Sequence, residues 1–179
     1  MKISSARFIT TTAMLLALTI VFQMLRVIIP VLALPTNLVF AQILVGSLVN
    51  LCLIVATAVA GVWSGVIISV AAPLVSLAQG HIALPWMVPF VIIGNALIVI
   101  IYALLKKRSQ ILGFAVGGVV KTAFLWIGIV IVGVSLFGAP QKVAATLAIS
   151  FTWLQLVTAI IGGLISLPVV RALSKKQAE

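Results

Sequence analysis

The chain has 179 residues, 64% of them apolar, and a mean hydropathy of +1.44, which excludes an ordinary soluble domain. Eleven basic residues stand against one acidic residue, Glu179, for a formal charge of +10. Most of the basic residues sit at the ends of apolar runs, so the charge fits a membrane protein's loops and excludes a nucleic-acid partner.

A helix needs about 20 apolar residues to cross roughly 30 Å of hydrocarbon, and about six crossings fit in this length. The first predicted helix covers 6–29 and ends at Pro30. Lys2 and Arg7 precede it, but the run is too long for a signal peptide and no small-x-small site ends it. The second covers 40–61, with Gly46, Asn50 and Gly61 inside it. The third covers 63–78 and stops before Gln79-Gly80-His81; the Gly61–Gly65 stretch between them reads as a tight turn or a break. The fourth covers 86–105 and is stopped by Lys106-Lys107-Arg108. The fifth covers 111–134, a short loop holds Gly138 and Pro140, and the sixth covers 143–170. In lipid each backbone polar group must bond within its own segment, so these runs are helices, and the alternation of a membrane barrel is absent.

The predicted fold is therefore all-α and integral to the membrane, one domain over 1–179 with six transmembrane helices. Lys2, Arg7, Lys106, Lys107, Arg108, Arg171, Lys175 and Lys176 fall on one side, and Arg26 and Lys142 on the other. The positive-inside rule then gives N-in, C-in. No extramembrane domain, low-complexity tract or convincing internal repeat is visible. Cys52 is the only cysteine and lies in an apolar run, as a small buried residue would.

No catalytic constellation is present: there is no carboxylate pair, phosphate loop, metal cluster or nucleophile–base pair, and His81 is the only histidine. The chain reads as no enzyme, with no cofactor and no metal. Candidate residues come instead from polar groups inside apolar helices, which are costly there and so suggest function. Lys121 lies about ten residues into the fifth helix with no internal acid to pair with. It either meets a ligand, finds a structural hydrogen bond, or snorkels toward the interface. Asn95 and Gln155 can read a polar heterocycle or bond between helices. Asn50 reads as structural. His81, Trp86, Trp126 and Trp153 form an aromatic set. Interfacial anchoring is the stronger reading for Trp63 and Trp86, with ligand contact as the alternative, whereas Trp153 lies about ten residues into the sixth helix, where its indole needs a partner or stacks on a flat ligand. Ala13 and Ala17 at i, i+4 let another helix approach closely.

Ala13-Met14-Leu15-Leu16-Ala17 is one of several segments that together resemble one family. The others are Val45-Gly46-Ser47-Leu48-Val49-Asn50, Pro89-Phe90-Val91-Ile92-Ile93-Gly94-Asn95 and Gly117-Gly118-Val119-Val120-Lys121. With the length, six helices and both ends inside, the chain resembles the S component of energy-coupling factor (ECF) transporters. The resemblance implies a subunit in a bacterial-type plasma membrane that captures a vitamin or related micronutrient from outside. It implies a T component docked at Ala13 and Ala17 and two cytoplasmic ATPases that hydrolyse ATP for it. It places the ligand in the outer halves of helices four to six, near Asn95, Lys121, Gln155, Trp153, Trp126, His81 and Trp86. The loops around Pro30–Phe40 and Gln79–Pro85 would close over it. The alternatives are a self-sufficient secondary transporter and a non-transporting membrane scaffold. Proton coupling normally uses intramembrane Asp, Glu or His, and no helix here holds an acid.

Overall fold

The computed structural model describes residues 5–29, 38–82 and 84–175. The loop predicted to close over the ligand at Pro30–Phe40 lies mostly outside the described residues, as do Lys2, Lys176 and Glu179. The described residues are helical: α1 (Ser5–Ile28), α2 (Leu38–Val59), α3 (Val62–Ala78), α4 (Met87–Leu105) and α5 (Gln110–Leu125). A π-helical segment (Trp126–Gly133) carries α5 into α6 (Val134–Phe137), and α7 (Gln141–Ser150) and α8 (Trp153–Lys175) follow.

Five spans among the described residues are long and apolar enough to cross a bilayer: 5–26, 39–59, 87–105, 110–137 and 141–174. The sixth helix of the bundle, α3, has 17 residues. At 1.5 Å per residue it reaches about 25 Å, the short end of the spanning range. The bundle is therefore the all-helical membrane architecture expected from the apolar runs.

Local sequence explains the connections. Gly61 takes φ +99° between α2 and α3, so the Gly61–Gly65 stretch is a tight turn. Lys106, just past α4, donates from Nζ to Thr57 O at 2.8 Å, satisfying a carbonyl in the last turn of α2. Ser109 caps α5, accepting from Leu112 N.

Two differences from the expected helices matter. The fifth span passes through the π segment, whose wider turn re-aims its side chains. The sixth span is not one helix: it breaks at Phe151-Thr152, between α7 and α8. Gln155 bridges the break, its Nε2 donating to Ser150 O at 3.0 Å.

The centre of the bundle is the α2–α8 pair, with α5 against α4 and α8, and α1 against α2 and α3. Close approach is possible because a Cβ at Gly162 would strike Ser47 O of α2 and one at Gly46 would lie 2.9 Å from Thr158 Cγ2. Leu53, Ile68, Ile98, Val99 and Ala159 fill the middle. Ile54, Tyr102 and Phe114 close one end, whereas Met87, Leu125, Ile129 and Leu147 pack at the other, beside an open space.

Candidate functional site

That space is a cavity of about 850 Å³. Its walls come from the C-terminal ends of α1, α3 and α5, the N-terminal ends of α2, α4 and α8, and from α7. All these ends meet at one end of the bundle, as up-and-down connectivity requires. A volume of this size suits a drug-sized molecule.

The floor carries four buried polar side chains from four helices: Asn50 (α2), Asn95 (α4), Lys121 (α5) and Gln155 (α8). Lys121 Nζ donates to Asn50 Oδ1 at 2.8 Å. Asn50 Nδ2 donates to Thr158 Oγ1 at 3.1 Å, and Thr158 Oγ1 donates to Gln155 O at 3.0 Å. This relay fixes the Asn50 amide with its oxygen on the lysine. It depends on the glycine contacts between α2 and α8, which bring Asn50 and Thr158 within reach. Asn95 is 4% exposed, lines the cavity and has no hydrogen bond to any described residue. A buried amide without a protein partner costs about 1–3 kcal/mol unless water or a ligand meets it.

The mouth carries Arg26, His81 and Lys142. Arg26 Nη2 donates to Gln42 Oε1 at 2.6 Å, which holds the guanidinium at the rim. His81 lies in the α3–α4 loop. Burial first, and the neighbouring Arg26 charge second, push its imidazole below the ordinary value of 6.5.

The expected site residues divide between wall and surface. Asn95, Lys121, Gln155 and His81 come together on the cavity. Lys121 does not snorkel; it is 4% exposed and bonded to Asn50. Trp126, Trp153 and Trp86 are not on the cavity wall. Trp126 and Trp153 are 45% and 56% exposed. The break before α8 makes Trp153 the first residue of a helix rather than its tenth. Trp86 stacks on Phe137 at 5.5 Å and meets Phe90 edge-on, against the glycine face of the π segment. Ala13 and Ala17 lie on the exposed face of α1. Arg26 and Lys142 were read only as topology charges, and Gln23 and Gln42 were not singled out; all four line the cavity.

A family model described as "ECF transporter, substrate-specific component" matches residues 7–174. The chain belongs to that family. No curated protein matches it, and no solved structure does. The family match covers nearly all of the bundle, so this ECF S component is a multi-pass membrane protein and a substrate-binding transporter subunit. Chemistry in such a subunit is recognition rather than bond breaking, which suits a cavity with amides and cations on its wall.

Proposed function

We propose that the chain captures a vitamin or related micronutrient from outside the cell and hands it inward, with a T component and two cytoplasmic ATPases supplying the energy. The N-in, C-in orientation opens the cavity to the exterior of a bacterial-type plasma membrane. The ligand sits on Asn95, Lys121 and Gln155, with His81 at the mouth. The T component docks on the Ala13–Ala17 face of α1. The observation that carries this reading is Asn95: a residue only 4% exposed, on the wall of a large cavity, whose amide has no hydrogen bond to any described residue.

Mass spectrometry of small molecules released from the purified chain tests it. One compound at near-stoichiometric occupancy, diminished in Asn95→Leu, is expected. Uptake of that compound into proteoliposomes should then need the T component, the ATPases and internal ATP. Uptake by the chain alone would favour the secondary carrier instead.

A further inference from the structure

The charge on this cavity is of one sign. Lys121 is on the floor, and Arg26 and Lys142 are on the wall nearer the mouth. The only acidic side chain of the protein is Glu179, four residues beyond the end of α8. Helix α8 starts at the cavity and runs 23 residues away from it, about 35 Å at 1.5 Å per residue. Among the described residues there is therefore no acidic side chain to pair with these cations.

Arg26 and Lys142 are also the two basic residues that depart from the eight-to-two charge pattern of the loops. The positive-inside bias disfavours basic residues on that side. Both lie on the same cavity, together with Lys121, the one buried lysine among the described residues. Lys121 is held by a wired floor, with no counter-ion among the described residues. An ammonium has three donors, and the only protein acceptor among the described residues is Asn50 Oδ1. Thr158 orients that amide to accept. Two donors remain for a ligand, beside the unpartnered amide of Asn95. Between floor and mouth the wall is apolar, with Val45, Val91, Leu125 and Leu147 on it.

We infer that the ligand is an amphipathic organic anion whose carboxylate or phosphate sits on Lys121 and whose apolar body lies against α2, α4 and α5. Arg26 and Lys142 draw it in and balance any second acidic group. The inference rests on the cavity being the ligand site, and it names the chemical class that site selects. Charged donors aimed at an anion in a low-dielectric cavity also reject neutral and cationic analogues, because those leave the lysine uncompensated.

The test uses the full chain in lipid nanodiscs and a yeast extract filtered to small molecules. The extract is split on an anion exchanger, and thermal melts are recorded with the retained fraction and the flow-through. The retained fraction should raise the midpoint by about 5 °C, the scale of a ligand well above its dissociation constant. Lys121→Gln should abolish the shift and Lys121→Arg should keep part of it. Persistence after phosphatase treatment assigns a carboxylate, and loss assigns a phosphate monoester. A shift from the flow-through alone overturns the anion inference while leaving the cavity as a ligand site. A shift equal in wild type and Lys121→Gln removes the lysine from recognition. No shift from either fraction counts against both the anion and the capture of a micronutrient.

Discussion

In the proposed site, recognition turns on Lys121. Lys121→Ala and Lys121→Gln should each weaken ligand binding by about 1.5–3 kcal/mol, the worth of a lost charged hydrogen bond, or roughly tenfold to a hundredfold in dissociation constant. Titration of the purified variants checks this, and affinity within about threefold of wild type would remove the residue from the site. Unliganded stability should change little, because Asn50 Oδ1 can take a cavity water once the lysine is gone. His81 makes a pH prediction. Its pKa lies below the ordinary 6.5, so the folded state favours the neutral ring. Its contribution to stability is full above about pH 6.5 and is lost as the pH falls, because the unfolded chain then binds the proton first. Thermal melts between about pH 7.5 and 5 should show a decline that His81→Asn reduces. Lys121, Asn95 and Gln155 were legible in the sequence because a polar group inside an apolar run stands out. Arg26 and Lys142 were not, because a basic residue near a helix end reads as a topology signal whether or not it also lines a cavity.

At the scale of helices, the α2–α8 contact decides whether the floor exists. Any side chain at Gly162 meets the Ser47 carbonyl, which is backbone and cannot swing aside. Gly162→Val should cost about 3 kcal/mol or more and separate Asn50 from Thr158, so ligand binding should fall even in the fraction that folds. Chemical denaturation and a binding titration on the same sample check both parts. Helix α1 makes the opposite kind of prediction. Ala13 and Ala17 lie on its exposed face, so Ala13→Trp or Ala17→Trp should leave ligand binding intact while abolishing uptake with the T component. Wild-type uptake by either variant would place the docking surface elsewhere. The first four helices were readable to within two residues at each end, because Pro30, Gly61, Gln79-Gly80 and the Lys106–Arg108 cluster punctuate them. The π segment was not. Trp126–Gly133 is an unbroken apolar run, and an i→i+5 ladder leaves no mark in such a run. The break at Phe151-Thr152 was hidden for the same reason: neither residue is a helix breaker, and Gln155 satisfies the carbonyl that the break frees. That hidden break is why Trp153 was expected inside a helix and is found at the start of one, with its side chain exposed.

For the molecule as a whole, the asymmetry of charge predicts an orientation, and the asymmetry of packing leaves one end open. One end of the bundle is filled around Tyr102 and Phe114, and the other is hollow. The eight-to-two distribution of basic residues predicts that the hollow end faces outside. Single cysteines at Ser109 and Ala139, on a Cys52→Ala background, should label from opposite sides of the membrane. Labelling of both from outside would break this topology. The central claim is that the hollow end holds a small molecule. Val91 is on its wall, and Val91→Trp should fill part of it without touching the polar floor. The most direct measurement compares the small molecules released from wild type and from Val91→Trp, each purified folded from the same cells, by quantitative mass spectrometry. One compound bound near one per chain in wild type, and at least tenfold depleted in Val91→Trp, is the expected result. The same compound bound equally to both proteins would contradict the claim.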